Sequence, residues 1–121
     1  MKISVVVTNY NYEKWLRRCI RSLINQNFDD YEIIIIDDYS TDNSRNILLE
    51  YENYDKIKLI FNKSNMGVGY SSTTASKQAL GKYIVRVDAD DYVHNDFLRC
   101  LYLWASFNNS HAVACDYQEV N

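Results

Sequence analysis

The segment RVDADDYV, residues 86–93, carries three aspartates within four positions: Asp88, Asp90 and Asp91. Alternate side chains of an extended segment project to the same side, so the carboxylates of Asp88 and Asp90 are predicted to lie close together. Like charges at such a distance repel and raise the pKa of one group. Mg²⁺ or Mn²⁺ would relieve the repulsion, because both prefer oxygen ligands and also accept substrate phosphates. The alternative is a solvated turn before a helix, where Asp is common.

A second acidic pair, Asp37 and Asp38, ends the apolar run EIIIID. We expect backbone donors to hold Asp37 near the strand and Asp38 to point to the open edge of a sheet. A carboxylate only accepts hydrogen bonds, so Asp38 would suit a base with a ring N–H, such as uracil or guanine, and would not suit adenine. Alternatively Ser40, Thr41 or Asp42 caps the next helix, which leaves Asp38 unexplained.

Strand and helix patterns alternate along the chain and must position these carboxylates. Apolar, β-branched runs predict strands at residues 2–8, 31–37, 56–61, 82–88 and 111–117. Helical spacing of apolar residues predicts helices at 13–26, 40–51 and 95–107, and a loop leading to a helix within 66–80. The alternation predicts an α/β fold with a mostly parallel sheet covered on both faces. Ligands bind at the carboxyl ends of such strands. Three polar segments fall there: TNYN (8–11), DDYSTD (37–42) and DADD (88–91).

Composition limits the classes of protein. A chain of 121 residues with 47% hydrophobic residues predicts one domain over residues 1–121. The net charge of −3 and the scattered basic residues argue against a nucleic-acid partner.

No apolar stretch approaches the roughly 18 residues of a membrane span, and no leader pattern is present, so we expect a soluble, cytoplasmic protein. Cys19, Cys100 and Cys115 lack metal or redox spacing and are expected to be reduced core thiols.

In order and spacing, four segments resemble the family 2 glycosyltransferases of the GT-A fold. These segments are SVVVTNYN, EIIIIDDYSTDNS, NKSNMGVG and GKYIVRVDADD. The resemblance implies a three-layer α/β/α, Rossmann-like nucleotide-binding half. It also implies a nucleotide-diphospho-sugar donor, commonly a UDP-sugar, and a divalent metal, Mn²⁺ or Mg²⁺, held by the DxD motif.

The resemblance also assigns roles to individual residues. Thr8 and Tyr10 match first-loop residues around the base, and Asp38 matches the base-binding aspartate. Asp88 matches the first DxD aspartate, near the ribose, and Asp90 the aspartate that meets the metal.

The chain departs from the family pattern at several positions. Tyr39 stands where the family often has glycine, and Ser72 and Thr73 replace the usual Arg–Asn pair of the helix after NxG. Because that arginine contacts a phosphate or the base in the family, its loss bears on donor affinity and donor choice. Lys77 and Arg86 are the candidate substitutes.

The function that the resemblance implies is metal-assisted, inverting transfer of a sugar to a glycan or lipid-linked acceptor, with peripheral membrane association of the parent protein. Family 2 catalytic domains supply the acceptor site and the catalytic carboxylate after the DxD. We therefore expect the chain to be truncated at its C-terminus and to lack the general base, since Asp116 and Glu119 have no following element to fix them.

Two alternatives come from other classes of protein. The first is a non-catalytic module that binds a nucleotide-sugar and transfers nothing. The second, more distant, is a receiver-type signalling domain, which shares the alternation of strands and helices. Its first strand would end in an acidic pair, whereas this one ends in TNYN, and its last strand would be followed by a lysine.

Overall fold

The computed structural model describes residues 1–108. Its elements in chain order are β1 (Ile3–Asn9), α1 (Glu13–Ile24), β2 (Tyr31–Asp37), α2 (Ser44–Leu49), β3 (Ile57–Phe61), α3 (Val68–Lys77), β4 (Tyr83–Asp88) and α4 (Phe97–Phe107). Every strand and helix predicted within this range is confirmed, and only the ends differ. The predicted strand at residues 111–117 lies outside the described residues.

The four strands form one sheet in the order β3-β2-β1-β4, and every pairing is parallel. This confirms the predicted parallel α/β fold. The order also decides against a receiver-type domain, because the flavodoxin-like order 2-1-3-4-5 of such domains places β3 beside β1. Here β3 pairs with β2, and β1 lies between β2 and β4.

Helices cover both faces of the sheet, which makes three layers. One face packs against α1, α2 and α4 through a large cluster that includes Val5, Val7, Ile33, Ile35, Leu16, Ile20, Leu48 and Leu98. The other face packs against α3 through Val6, Ile34, Ile36 and Ala75. The run YEIIIID of β2 is buried at every position because its alternate side chains enter the two different clusters.

Helix α1 forms because its apolar residues fall on one side. Leu16, Cys19, Ile20 and Leu23 are spaced at i, i+3, i+4 and i+7, and all are buried against the sheet. Its 12 residues are too few to cross a membrane, and no other helix among residues 1–108 has the length and apolar character for it.

A buried polar group lies near the amino ends of the strands. Glu32 of β2 is 2% exposed, and its Oε2 accepts hydrogen bonds from Ser4 Oγ (2.5 Å) and from the backbone N–H of Leu80 (2.7 Å). Its Oε1 lies 2.7 Å from Lys58 Nζ, and Gly81 N donates to Ser4 Oγ (2.8 Å). We call Ser4, Glu32, Lys58, Leu80 and Gly81 the amino-end network.

The cysteines differ in their surroundings. Cys19 is buried and Cys100 is exposed, and both are free thiols. The prediction of core thiols is therefore wrong for Cys100, because α4 buries Phe97, Leu98 and Ala105 and turns Cys100 outward. Cys115 lies outside the described residues.

Candidate functional site

A cleft of about 530 Å³ opens at the carboxyl ends of β1, β2 and β4. Its walls include the residues predicted to bind a nucleotide: Thr8, Tyr10, Asp38 and Asp88. The other lining residues are Asn9, Tyr12, Asn65, Gly67, Val68, Ser71 and Arg86. Because parallel strands end at a common edge, segments that are far apart in the sequence meet here.

The end of β1 forms the middle of the cleft. Thr8 lies beside Asp88 in the register of β1 with β4, and both side chains are half-buried. Tyr10 follows the end of β1, lines the cleft and is 43% exposed. A partly exposed aromatic ring at this place offers an apolar surface with a polar tip to a planar ligand.

Asp37, at the end of β2, is held inside the fold. Its carboxylate accepts hydrogen bonds from Asn9 Nδ2 (2.8 Å), Ser40 N (3.0 Å) and Ser40 Oγ (2.6 Å). The expectation that a backbone donor holds Asp37 is confirmed. The turn between these groups puts Tyr39 at φ 64°, a left-handed conformation that glycine adopts without strain. The glycine usual in the family at this position thus has a conformational reason.

Asp38 lines the cleft but is only 5% exposed. Oδ1 accepts hydrogen bonds from Asn62 Nδ2 (2.9 Å) and Met66 N (2.7 Å), and Oδ2 accepts one from Gly67 N (2.9 Å). Asp38 thus faces the open edge of the sheet, as expected, but its carboxylate is already held by donors from the chain. The carboxylate also fixes the loop between β3 and α3, because backbone N–H groups of that loop are its donors.

The pKa of Asp38 is set by two opposing effects. Burial alone would raise the pKa, but the hydrogen bonds from Met66, Asn62 and Gly67 outweigh it and hold the pKa below its usual value. Asp38 is therefore ionised at neutral pH and acts only as a hydrogen-bond acceptor.

The residues after β4 form an acidic turn, residues 88–91. A hydrogen bond from Asp91 N to Asp88 O (3.0 Å) closes it, and oxygen atoms of Asp88, Asp90 and Asp91 lie within 4.8 Å of one another. The predicted proximity of Asp88 and Asp90 is confirmed, but its cause differs. The strand ends at Asp88, so the turn brings the carboxylates together, and for this reason Asp91 joins them.

Helix α1 contacts the acidic turn through one exposed residue and one buried residue. Arg18 Nη2 donates to Asp90 O (3.2 Å), and its guanidinium lies 4.2 Å from the centre of the Tyr92 ring. The thiol of Cys19 donates to Asp88 O (3.6 Å). Burial, and then the nearby carboxylates, raise the pKa of Cys19, so this thiol stays protonated and unreactive.

The acidic turn has the donor set of a divalent-cation site. Burial, and then the charges of Asp90 and Asp88, raise the pKa of Asp91, while Arg18 lowers it. Crowded carboxylates that disfavour each other's ionisation are stabilised by a hard cation with a preference for oxygen, such as Mn²⁺ or Mg²⁺. The residues present therefore fit the metal that the sequence predicts.

The helix after the NxG loop lacks the arginine of the family. Ser72 Oγ is buried and has no hydrogen-bond partner among the described residues, and Thr73 is exposed. Of the two candidate substitutes, Arg86 lines the cleft, whereas Lys77 is exposed at the end of α3 and does not.

Several lining residues were not predicted from the sequence. Asn9 holds Asp37, and Asn65 Nδ2 donates to Asp38 O (3.5 Å). Asparagine at the end of a strand or in the loop that follows it is a signal for such contacts, because its amide donates and accepts hydrogen bonds, but it does not identify the partner. Val68 and Ser71 enter the cleft because they lie on the first turn of α3.

The family model described as Glycosyl transferase family 2 matches residues 4–121. The uncharacterized glycosyltransferase alr2836 of Nostoc sp. is 44% identical over 93 residues, which cover 75% of this chain and 29% of that protein. The poly(ribitol-phosphate) beta-glucosyltransferase of Bacillus spizizenii is 41% identical over 114 residues, which cover 91% of this chain and 18% of that protein. The chain thus spans less than a third of the length of these curated relatives.

A solved structure shares the fold as well. S. aureus TarS 1–349, crystallised in complex with UDP-GlcNAc, superposes with a TM-score of 0.84 at 33% identity, over 90% of this chain and 32% of that chain. The parallel sheet, the flanking helices and the cleft at the strand ends are those of a GT-A fold. This chain belongs to glycosyl transferase family 2.

Proposed function

We propose that the chain is the donor-binding part of a glycosyltransferase that uses a UDP-sugar and a divalent cation. The observation that carries the proposal is the convergence of Thr8, Tyr10, Asp38 and Asp88 on one cleft beside the acidic turn. The bound UDP-GlcNAc in the similar structure of TarS supports a uridine nucleotide as the ligand.

The base is proposed to lie between Tyr10 and Asp38. The ring of Tyr10 offers a surface for stacking, and Asp38 accepts the imide N–H of uracil. Oδ1 of Asp38 already receives two hydrogen bonds, whereas Oδ2 receives only that of Gly67 N. Because a carboxylate oxygen has two acceptor positions, Oδ2 is the atom with room for the base.

The ribose and the diphosphate are proposed to lie next to the base, at the carboxyl end of β4. Asp88, in the wall of the cleft, is proposed to accept hydrogen bonds from ribose hydroxyls, and Asp90 is proposed as the main metal ligand, with Asp91 beside it. A bound cation would act as a Lewis acid that stabilises the leaving diphosphate. The cation is proposed to be Mn²⁺ or Mg²⁺.

The acidic residues in and beside the cleft are all assigned to the fold or to the donor side. Asp37 is engaged with Asn9 and Ser40, Asp38 with the loop before α3, and Asp88 and Asp90 with ribose and metal in this proposal. A general base must instead reach the acceptor hydroxyl on the face opposite the leaving group. We therefore propose that residues outside this cleft supply the base of an inverting transfer to a glycan acceptor, and that the 121-residue chain binds donor without transferring sugar.

Calorimetry with UDP, in Mn²⁺ and in EDTA, tests the proposal. We expect Mn²⁺ to strengthen UDP binding, and Asp90→Asn to lower the affinity in Mn²⁺ at least tenfold, because the metal loses a charged ligand. Asp55→Asn is the matched control, since Asp55 is an exposed carboxylate that does not line the cleft. UDP should also bind more tightly than CDP or ADP, whose bases present no imide N–H to Asp38.

Equal affinity for UDP, CDP and ADP would contradict the role of Asp38 in base selection. Asp90→Asn binding UDP as well as the parent chain in Mn²⁺ would contradict the metal assignment. Incubation with UDP-sugars and glycan acceptors separates the binding module from a complete catalyst, because metal-dependent glycoside formation by this chain would show that a general base is present.

A further inference from the structure

Arg86 is the one basic side chain among the described residues that line the cleft. The other charged lining residues are Asp38 and Asp88, and the carboxylates of Asp90 and Asp91 follow directly. A nucleotide diphosphate that enters this cleft brings more negative charge into a region that is already acidic. Charges of one sign at such distances disfavour binding unless a cation lies between them.

The position of Arg86 in β4 directs its side chain toward that region. Arg86 lies two residues before Asp88 and two after Ile84, so the three side chains share one face of the strand. Ile84 packs on the cluster beneath α3, which identifies this face as the α3 side. On this side of the sheet, the buried residues of α3, Ser71 and Ala75, are both small.

The contact of Arg86 with Asp88 is loose. Arg86 Nη2 lies 3.7 Å from Asp88 Oδ1, and the two side chains are 41% and 49% exposed. A charge-assisted hydrogen bond is shorter, about 2.7–2.9 Å, and an exposed pair of this kind contributes little to stability. The guanidinium can therefore turn toward a phosphate at low energetic cost, and its planar fork suits two phosphate oxygens.

We propose that Arg86 binds the diphosphate of the donor, in place of the arginine that Ser72 replaces in α3. This inference rests on the proposed function, because it requires the nucleotide in this cleft. Lys77, the other candidate, is exposed and outside the cleft. Arg86 gives the nucleotide affinity a component that needs no metal, since the fixed positive charge is present with or without a divalent cation.

The test compares uridine, UMP and UDP as ligands of the parent chain and Arg86→Gln, by calorimetry or NMR titration, in EDTA and in Mn²⁺. In EDTA, we expect Arg86→Gln to weaken UDP binding about 10–100-fold, the size of a lost charge-assisted hydrogen bond. Uridine binding should change less than about twofold, because uridine carries no phosphate. Lys77→Gln removes the same charge outside the cleft and should leave all affinities unchanged.

Arg86→Lys is a second variant, and it keeps the positive charge of the parent chain at this position. It should bind UDP with an affinity between those of the parent chain and Arg86→Gln, because the ammonium keeps the charge and loses the fork. This variant also decides the question if Arg86→Gln folds poorly, which urea unfolding would reveal.

The outcomes separate this inference from the proposed function. A parent chain that does not bind UDP overturns both. A parent chain that binds UDP while Arg86→Gln binds it equally well overturns the inference alone. Equal losses for uridine and UDP, or a loss confined to Mn²⁺, also overturn it, since Arg86 would then only shape the cleft or position Asp88.

Discussion

The amino-end network and the acidic turn, which lie at opposite ends of the sheet, surround their carboxylates in opposite ways. At the amino ends, Glu32 is nearly inaccessible, and each of its oxygens has a donor or cationic partner from Ser4, Leu80 or Lys58. At the carboxyl ends, the acidic turn places three carboxylates within 4.8 Å of one another at partly exposed positions. The first arrangement is complete within the chain, whereas the second has the donor set of a divalent-cation site.

The pKa values of Glu32 and Asp91 are shifted in opposite directions, in agreement with these surroundings. Burial alone would raise the pKa of Glu32, but the hydrogen bonds from Leu80 and Ser4 and the contact with Lys58 outweigh burial and lower it. For Asp91, burial and the charges of Asp90 and Asp88 act in the same direction and raise the pKa. A carboxylate with enough donors contributes to stability, whereas one among other carboxylates is available for a ligand.

The largest expected effect on stability comes from breaking the amino-end network. We expect Glu32→Gln to lower the free energy of unfolding by about 2–4 kcal/mol at neutral pH, because hydrogen bonds to a charged group are lost in a buried place. Urea unfolding measures it, with Glu52→Gln as the control at an exposed position. A loss no larger than that of the control would show that the network is not needed for stability.

The glycine of the network should give the next largest effect. A Cβ at Gly81 would lie 2.5 Å from Ser4 N and 2.6 Å from Ile3 C, so the backbone must move. We expect Gly81→Ala to cost about 1–3 kcal/mol of unfolding free energy. Gly69→Ala is the matched control, since its Cβ would meet nothing within 4 Å and alanine favours the helix α3. Similar stability of the two variants would contradict the close packing at Gly81.

The smallest expected effect is a difference in how the stabilities of two variants depend on pH. The pKa of Glu32 in the folded chain lies below its usual 4.5, so its stabilisation is present above that pH and is lost as the pH falls. The pKa of Asp91 lies above its usual 3.8, so ionisation of Asp91 destabilises the fold as the pH rises. As the pH falls from about 7 toward about 3, the stability deficit of Glu32→Gln relative to the parent chain should shrink. The stability advantage of Asp91→Asn should shrink as well. Unfolding curves in which both differences change with the same sign would contradict this contrast.

The sequence was sufficient to predict the framework and the edge that carries the cleft. Unbroken apolar runs such as EIIIID require cover on both faces, and that requirement predicts a parallel sheet with polar residues at its strand ends. Thr8, Tyr10, Asp38 and Asp88 were predicted in this way, with the help of the family resemblance, and they line one cleft.

The amino-end network and the loop fixed by Asp38 were not predicted. Glu32 appears in the sequence as one acidic residue before an apolar run, and its partners Ser4 and Leu80 are 28 and 48 residues away. Only the register of the strands brings them together. Likewise, the donors of Asp38 are backbone N–H groups at Met66 and Gly67, which every residue except proline possesses, so no pattern of side chains identifies them.

The central position of β1 has a consequence for the order in which the chain folds. β1 pairs with β2, 28 residues later, but its other partner β4 begins only at Tyr83. Until β4 arrives, one edge of β1 presents unpaired N–H and C=O groups, which is the type of edge that associates with other chains. Pairing over so long a separation is slow. β4 also brings Asp88 beside Thr8. The pairing of β4 with β1 therefore completes the cleft and covers the open edge of β1 in one step. We expect nucleotide binding to appear only at this last stage of folding.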